Sequence, residues 1–433
     1  MPKFHKHKAA PKDSRAVFYD EAEEIARAIE GVTAVKRVRE EFGLEISHGD
    51  GRKMLLHLRS TFNEVQGLSR EKRIARVKEF LVDMLEARTH AQESCDLTFD
   101  RVRSSLYPVL RGCTHGVFGP SDVRGGQRVS AEAVANAFLI RRPFLPFVDI
   151  FVVRDHEKTV EFLNAFHATA WNVTVDDVID AALETIAKLG KPPMKRLPGG
   201  VFGIVSQDDY EPSRLLIPGF LGSFRKKVDG RPIAIMPDRS TVIIGGDGRT
   251  ETIETMAQFA DGVYKTSTRI ISPALYTCTD DGQSVSPYHR ATGHTKIVVD
   301  LGHGLLQHAE YCQQKEVLDK TLRPEEAFVA THSVGRTAEG VFSHASWTKG
   351  VETYLPEVDR VSLIVKEDGA EPNALDVPFE AIRSRLTPVP GIRPIRYKTG
   401  EFPSDEEIQT MALPGRSVAA VLAEELSNDS SDD

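Results

Sequence analysis

Apolar side chains recur at helical spacing in several stretches of the chain. In Ser69–Arg88 they lie three or four positions apart, and Ser69 stands where a helix N-cap is expected. Thr174 and Asp177 form a capping-box pattern ahead of a second stretch with the same spacing. Both stretches are therefore predicted to be helices. The same pattern predicts helices over Asp20–Ile29, Pro212–Val228, Ile253–Ala260, Leu305–Lys320 and Phe379–Leu386.

Strands are indicated by short apolar runs between turn-forming residues. Phe42–Ser47 and Lys53–Leu58 flank a His-Gly-Asp-Gly sequence, which is typical of a β-hairpin turn. Phe147–Val153 has the pattern of a buried strand. Further strands are predicted over Val201–Val205, Ile233–Met236, Thr241–Ile244, Arg269–Cys278, Thr295–Val299 and Ile392–Tyr397. The mixture predicts an α+β protein with mixed or antiparallel sheets flanked by helices, in two to three subdomains.

Changes in composition divide the chain into segments. The first residues are rich in Lys and His, and 427–433 are polar and acidic, so neither end can bury apolar surface. The predicted segments are a disordered basic tail (1–13), a small α+β domain (14–95), an α+β core (96–290), a C-terminal α+β domain (291–412), and a short helix over Ser417–Leu426 within an acidic end (413–433).

The C-terminal domain is predicted to be a shortened, degenerate repeat of part of the core. GVFSHAS at Gly340–Ser346 parallels GVFGIVS at Gly200–Ser206, and YLPEVDRVSLIV parallels IMPDRSTVII. A short helix and another strand are predicted after both. Short apolar strands resemble one another by default, and a third GVF stands at Gly116–Phe118, so coincidence stays open as the alternative.

The composition is that of an ordinary globular protein, with 40% hydrophobic and 27% charged residues in 433. No apolar run approaches the roughly 20 residues of a membrane-spanning helix, and no apolar signal region follows the basic N-terminus. We therefore expect a cytoplasmic location and no membrane partner. Four scattered cysteines argue against a disulfide framework. The formal net charge of −8 disfavours a dedicated nucleic-acid surface.

Several motifs follow one another in the central block. They are Pro108–Arg111 (a PV-I-R strand), Trp171 in a helix, Asp209, Tyr210, Ser213, Arg214 and Leu215 (a D-Y-x-x-S-R-L-L segment), Pro237 with Val242–Ile244, and Met256 with Phe259. Over residues 14–290 the chain thereby resembles the YtpQ-like family of uncharacterised bacterial proteins. The resemblance implies an α+β fold and no activity, because that family has no established chemistry. Ser240 stands where the family has an Asp, which puts a role of that carboxylate in doubt.

The strongest candidates for metal ligands are His303, His308 and Cys312. His308 and Cys312 are four residues apart and would share one face of a helix, and His294 or Cys278 would complete a zinc site. The tight ligand pairs of structural zinc sites are missing, so a buried Cys312 with an exposed His308 is the favoured alternative. No cofactor is predicted.

Two sets of residues are weaker catalytic candidates. Cys113 and His115 lie in a Gly-rich loop and would form a thiol–imidazole pair if the fold brought them together. Asp149 interrupts an apolar strand, and with Asp155 and His156 it would supply acid–base chemistry. No motif fixes the geometry of either set, and a structural hydrogen-bonding role is favoured for Asp149.

The sequence IVVDLGHGLLQ resembles the entry to a nucleotide-binding helix. Asp300 would end a strand, and Gly302 and Gly304 would form a tight turn ahead of the helix N-terminus. Gln307 stands at the third glycine position, so a simple capping turn is favoured.

Strand and helix signals are strong throughout, while strong catalytic motifs are missing from the sequence. We therefore predict a non-enzymatic protein that binds another macromolecule, with a protein partner favoured. The predicted binding residues are Asp208, Asp209, Tyr210 and Arg214. The alternatives are a metal-dependent hydrolase that uses the His/Cys residues and a nucleic-acid-binding component.

Overall fold

In the computed structural model, the described residues are 12–39, 42–49, 53–116, 139–156, 160–206, 208–322, 326–337, 340–366, 373–415 and 417–418. They form an α+β protein with several sheets, which confirms the predicted fold class. The chain divides into two compact units. Unit 1 contains residues 1–102 and 154–161, and unit 2 contains residues 103–153 and 162–433. The predicted boundary at 290–291 lies inside unit 2 and stays a prediction.

Unit 1 is built from helices and a three-stranded antiparallel sheet. Its elements are α1 (Lys12–Arg27), β1 (Val32–Val38), β2 (Gly43–His48), β3 (Lys53–His57), α2 (Arg59–Glu64), α3 (Arg70–Asp96) and α4 (Phe99–Val102). The sheet has the order β1-β2-β3, and β2 and β3 are the two strands of the predicted hairpin. Ser69 caps α3 as predicted, because its side chain accepts a hydrogen bond from the Lys72 N–H. Phe18 and Phe62 pack edge to face in the core, 5.1 Å apart.

A small sheet and its helices open the second part of the fold. The elements are β4 (Leu106–Gly112), β5 (Arg141–Leu145), β6 (Val148–Asp155), β7 (Val160–Phe162), α5 (Ala165–Ala170) and α6 (Val175–Lys188). The strands lie in the order β4-β6-β5, and β7 pairs with β6. α6 packs against β4, and its N-terminus carries the predicted capping box of Thr174 and Asp177.

A six-stranded antiparallel sheet follows, in the order β13-β12-β10-β11-β9-β8. The elements are β8 (Met194–Arg196), β9 (Phe202–Ile204), β10 (Pro232–Asp238), β11 (Ile243–Gly246), α7 (Thr250–Thr266), β12 (Ile270–Cys278) and β13 (Val285–Pro287). Side chains alternate along β10: Ile233 and Ile235 pack with Met256 of α7, whereas Ala234 and Met236 join a cluster on the other face. The β10–β11 hairpin confirms the one predicted from the sequence.

A long helix and two four-stranded sheets complete the fold. The elements are α8 (Gly293–Thr321), β14 (Phe328–Val329), β15 (Ser333–Arg336), β16 (Val341–Thr348), β17 (Thr353–Pro356), β18 (Arg360–Val365), β19 (Asn373–Pro378), α9 (Phe379–Ile382), β20 (Leu386–Pro388), β21 (Arg396–Thr399) and α10 (Asp405–Met411). One sheet has the order β14-β17-β21-β20 and the other β15-β16-β18-β19. α8 packs against α7, β12, β15 and β16.

The helix α8 overturns two predictions. Thr295–Val299 is helical and not a strand, and Gly302 and Gly304 lie inside the helix, so neither the favoured capping turn nor the alternative nucleotide-binding turn forms. A Cβ on Gly302 would come within 2.8 Å of the Pro273 backbone oxygen in β12. The glycine therefore allows a close approach of helix and strand, and it does not mark a turn.

The helix predicted over Pro212–Val228 is also wrong. Two short 3₁₀ helices, Pro212–Leu216 and Leu221–Phe224, stand in its place. Pro218 lacks the N–H that a continuous helix needs, and Gly219 has a φ of 74°, outside the helical region. The chain is therefore broken into two turns.

The two halves of the predicted repeat pair their strands differently. β9 pairs antiparallel with β11, whereas β16 pairs parallel with β18. β10 and β11 form a hairpin, whereas β17 and β18 lie in different sheets. The pairing gives the duplication no support, and it stays a prediction from the shared strings.

The predicted terminal segments lie mostly outside the described residues. Lys12 and Asp13, placed in the tail by the sequence, belong to α1. Near the other end, the Leu413 N–H donates to the Asp376 backbone oxygen (2.7 Å) and the Val418 N–H donates to the Asp376 carboxylate (3.0 Å). The predicted helix over Ser417–Leu426 lies outside the described residues beyond Val418.

Candidate functional site

Two of the sequence motifs meet at one place in unit 2. Arg111 stands near the end of β4, and Tyr210 follows the end of β9. The ring of Tyr210 stacks on that of Tyr107 in β4, with 4.5 Å between centroids and 21° between planes. Arg239, from the turn after β10, lies 3.6 Å from Asp209. We call Arg111, Asp209, Tyr210 and Arg239 the Arg111 cluster.

Beside this cluster, Asp208 and Arg214 form a bidentate ion pair. The Arg214 guanidinium donates from two nitrogens to the two carboxylate oxygens, with Nη1 to Oδ1 at 3.0 Å. Oδ1 also accepts from the Tyr210 N–H (3.0 Å) and from the Ser206 hydroxyl (3.1 Å). Burial alone would raise the pKa of Asp208, but these donors outweigh it and the pKa is lowered. Asp208 and Arg214 therefore stabilise the loop, and their opposite charges cancel.

Among the described residues, Arg111 is a cation without an ion-pairing carboxylate. Its Nη1 donates to the neighbouring Leu110 backbone oxygen at 2.6 Å, and its guanidinium lies 5.9 Å from the Phe162 ring. Within the described ranges, no carboxylate forms an ion pair with it. Burial, followed by the like charge of Arg239, lowers the pKa of Arg111 to about 10. Asp209 and Tyr210 raise that pKa, but their effects are smaller. Arg111 remains a cation at neutral pH with hydrogen-bonding capacity to spare.

Asp149 lies in a second polar centre of unit 2, fully buried on β6. Its carboxylate accepts from Arg393 at 2.7, 3.0 and 3.1 Å, and Arg141 approaches to 4.0 Å. A buried carboxylate held by a guanidinium fork is charge-compensated and serves as a structural anchor. The alternative favoured from the sequence thus has geometric support, and the residue that holds Asp149 is Arg393.

Cys113 is placed in the same centre, away from His115. Burial, followed by the charges of Glu310 and Asp149, raises the pKa of the Cys113 thiol well above its usual value. Glu310 accepts from the Thr114 N–H (2.7 Å) and hydroxyl (2.8 Å). Gly112 makes room for it, because a Cβ there would lie 2.0 Å from Oε1 of Glu310. A protonated, buried thiol of this kind is a poor nucleophile.

His115 has different neighbours from Cys113. Its ring packs against Phe151 and Phe162, with centroids 5.4 and 4.9 Å away. Burial, followed by the charge of Arg111, lowers the pKa of His115 to about 4. The described contacts do not join the two side chains in a thiol–imidazole pair.

His156 and Asp155 belong to unit 1. His156 Nε2 lies 3.2 Å from Glu161 Oε2, which also accepts from the Ser94 hydroxyl at 2.6 Å. The carboxylate in the middle of this network binds both other groups. A Ser-His-acid relay needs the imidazole in the middle, so this order does not provide one.

The metal candidates separate along α8. Cys312 Sγ lies 3.6 Å from His308 Nε2, and His308 Nδ1 donates to the His332 backbone oxygen at 2.8 Å. His303 instead donates to the Tyr288 backbone oxygen (3.2 Å) and packs beside His289. In the part of the chain that the structure describes, no three His, Cys, Asp or Glu side chains come together in an arrangement that could hold a metal ion.

A buried chain of polar groups joins β16, β18 and β19. His344 Nε2 donates to the Ser362 hydroxyl at 2.7 Å, and that hydroxyl donates to the Asp376 carboxylate. Here the carboxylate contacts the hydroxyl and not the imidazole, so the order differs from that of a Ser-His-acid relay. Asp376 is the acceptor that also holds the Val418 N–H.

Comparison with known proteins gives a partial similarity. The chain is 26% identical over 168 residues to a UPF0354 protein of Listeria welshimeri, and 24% identical over the same length to UPF0354 proteins of Listeria monocytogenes. Each match covers 37% of this chain and 58% of the relative, so the chain spans less than two thirds of the relatives' length. No protein-family profile matches the chain, and no solved structure matches it.

The similarity agrees with the resemblance to an uncharacterised bacterial family. It does not test the name YtpQ-like, which stays a prediction, and the names of these UPF0354 relatives state no activity. None of the helices in the described ranges is long and apolar enough to span a membrane.

Three residues of these sites were missed by sequence reasoning: Arg239, Glu310 and Arg393. Each meets its partner across a long stretch of chain, as Arg393 does with Asp149 and Glu310 with Thr114. Arg239 lies in the turn after Asp238, where the sequence indicates turn chemistry and nothing more. A single sequence carries no signal for such pairings.

Proposed function

We propose that this protein binds an acidic segment of a protein partner at the Arg111 cluster and catalyses no reaction. The observation that carries the proposal is the Arg111 guanidinium, which in the described ranges has one hydrogen bond, to the Leu110 backbone oxygen, and no ion-pairing carboxylate. Arg239 adds a second cation close enough to lower the pKa of Arg111. The cluster therefore holds two guanidinium groups and one carboxylate, Asp209, and this excess of positive charge favours the binding of another anion.

The chemistry of arginine supports a carboxylate as the ligand. A guanidinium presents its donors in a planar fork that matches a carboxylate, and partly buried surroundings strengthen the resulting charge-assisted bonds. The stacked rings of Tyr107 and Tyr210 support one side of the cluster, and the Asp208–Arg214 pair holds the loop in place. The cluster is thus built on fixed elements, as a binding site needs to be.

Two observations favour a protein over a nucleic acid. The chain carries a formal net charge of −8, and the cluster itself includes Asp209 with Asp208 beside it. Nucleic-acid affinity depends on neutralising several phosphates along a backbone. Two arginines flanked by two aspartates fit a single acidic side chain better.

The test measures binding of a fluorescein-labelled hexaglutamate peptide by fluorescence polarisation at low and high salt. We expect wild-type protein to bind, and Arg111→Gln to bind about tenfold more weakly, since one charge-assisted hydrogen bond contributes about 1.5 kcal/mol. The matched control is Arg249→Gln in the same unit, because Arg249 is 72% exposed and only loosely paired with Asp229 at 3.8 Å. Its affinity should equal that of wild type.

Two results would count against this function. Equal binding by wild type and Arg111→Gln would show that the cluster is not the site. Tighter binding of a fluorescein-labelled single-stranded DNA of matched charge, weakened by Arg111→Gln, would favour the nucleic-acid alternative.

A further inference from the structure

The two carboxylates of the 208–209 loop differ in how firmly they are held. Asp208 accepts four hydrogen bonds, from Arg214 twice, from Ser206 and from the Tyr210 backbone, so it cannot turn to another cation. Within the described part of the chain, Asp209 has one ion pair, to Arg239 at 3.6 Å, which is longer than a hydrogen bond. Its side chain is 61% exposed. Asp209 is therefore the carboxylate that can be displaced.

A tight turn presents Asp209 to Arg239. The hydrogen bond from the Tyr210 N–H to the Asp208 carboxylate closes this turn over Asp209. Asp209 itself has a φ of 62°, in the left-handed region that Asp tolerates better than most residues. The position of its Cα is thus fixed, while its side chain stays open to solvent.

The charges of the cluster do not balance within the described residues. Arg214 and Asp208 cancel, and Asp209 is the described carboxylate that both acts on Arg111 and pairs with Arg239. Asp209 pairs with Arg239, and no carboxylate of the described segments forms an ion pair with Arg111. A ligand carboxylate between the two guanidinium groups would satisfy both.

We propose that Asp209 is an internal competitor for the site: it pairs with Arg239 in the unbound protein, and an acidic side chain of the partner displaces it and binds Arg111 and Arg239 together. This inference rests on the proposed function and adds its regulation. The ion pair between Asp209 and Arg239 is exposed and weak, so breaking it costs little free energy. The competitor would lower affinity and reject ligands that carry too little negative charge.

The experiment repeats the hexaglutamate titration with Asp209→Asn, Arg239→Gln and the double variant. Asn has the size of Asp and tolerates a positive φ, so Asp209→Asn removes the charge and keeps the turn. We expect this variant to bind about three- to tenfold more tightly than wild type, since a weak competing pair and a like-charge repulsion are both removed. Arg239→Gln should bind more weakly, and the gain from Asp209→Asn should vanish in the double variant.

Asp229→Asn is the matched control, because Asp229 is exposed and pairs with Arg249 at a similar 3.8 Å. Its affinity should equal that of wild type. Asp209→Gly, which also suits a positive φ, replaces Asp209→Asn if thermal denaturation shows that the latter is unfolded.

The outcomes separate this inference from the function on which it rests. If Arg111→Gln loses binding but Asp209→Asn gains no more affinity than Asp229→Asn, Asp209 is not a competitor and the proposed function stands. If the gain persists in the Arg239→Gln background, Asp209 acts through general charge and the competitor is again wrong. If neither wild type nor Asp209→Asn binds the peptide, both proposals fail.

Discussion

Replacing Arg393 by Met should destabilise unit 2 by leaving the charge of Asp149 buried. The Asp149 carboxylate is 0% exposed, and Arg393 supplies its three shortest contacts to a cation, at 2.7, 3.0 and 3.1 Å. Breaking a buried ion pair by removing one partner costs about 3–5 kcal/mol. Arg393 is 34% exposed, and Arg141 at 4.0 Å gives partial compensation. We therefore expect a loss near the lower end, about 3 kcal/mol.

Urea unfolding followed by tryptophan fluorescence is the suitable assay. The chain has two tryptophans, Trp171 and Trp347, and both are buried residues of unit 2. Their signal therefore reports the unit that contains the ion pair, which matters because a chain of two units need not unfold in one step. The midpoint should fall in Arg393→Met while the slope of the transition is unchanged.

A double-mutant cycle separates the ion pair from other effects of the substitution. Asp149→Asn removes the charge, so the double variant Asp149→Asn/Arg393→Met should be less destabilised than the sum of the single variants. Arg290→Met serves as the control, because Arg290 pairs with Asp280 on the surface at 3.6 Å and should cost less than about 1 kcal/mol. An Arg393→Met loss equal to that of Arg290→Met, or additive behaviour in the cycle, would refute the view of Asp149 and Arg393 as an anchor.

Two further changes should alter stability in opposite directions. Gly112→Ala would place a Cβ 2.0 Å from Oε1 of Glu310 and should lower the free energy of unfolding by about 1–3 kcal/mol. Its control, Gly262→Ala on the exposed side of α7, should raise the free energy of unfolding by about 0.5–1 kcal/mol. His332→Phe should raise it by about 1–3 kcal/mol at neutral pH, because both ring nitrogens of His332 are buried and have no hydrogen-bond partner among the described residues, while a phenyl ring keeps the stacking on Tyr311. Burial and nearby positive groups lower the pKa of His332 to about 3. As the pH falls from about 6.5 towards 3, the imidazole is therefore protonated in the unfolded chain but stays neutral in the folded chain. The wild type should therefore lose stability over that range more steeply than His332→Phe.

Urea melts at several pH values check these changes. Equal midpoints for Gly112→Ala and Gly262→Ala would show that the Glu310 carboxylate moves aside without loss. A His332→Phe variant that is less stable than wild type, with the same dependence on pH, would mean that the imidazole is satisfied in solution by groups such as water.

Local signals in the sequence predict local structure well. Ser69 and Thr174 cap helices as predicted, because the side chain and the backbone N–H that it accepts from are only three residues apart. The β10–β11 hairpin follows in the same way from the turn residues between two apolar runs. Such features depend on a few neighbouring residues, and a single sequence contains all of them.

The failures have a physical cause in tertiary packing. Ile297, Val298 and Val299 favour a strand by propensity, and Gly302 and Gly304 favour a turn, yet all five lie in α8. Val299 is fully buried against the cluster formed by α7 and β12, and Gly302 meets the backbone of β12. The free energy of that packing outweighs the local preference.

The candidate site could be predicted only in part. One motif of the sequence predicts Asp209, Tyr210 and Arg214 as binding residues, and the structure adds Arg111 from another motif and Arg239 from a turn. These segments are far apart in the sequence, and the pairing of the six-stranded sheet and the position of β4 bring them together. No local sequence pattern specifies that strand pairing. The anion binding that we propose for the cluster depends on that contact between segments.

Asp376 sets a practical limit on how far the chain can be shortened. Its backbone oxygen holds Leu413 and its carboxylate holds Val418, while the same carboxylate accepts from Ser362 inside the sheet. A protein that ends before residue 413 would lose the backbone N–H donors of both Leu413 and Val418. Water would then have to replace these donors at the edge strand β19. Crystallisation or labelling work that needs a shorter chain should therefore keep residue 418, and a tag placed after the last residue leaves these hydrogen bonds intact.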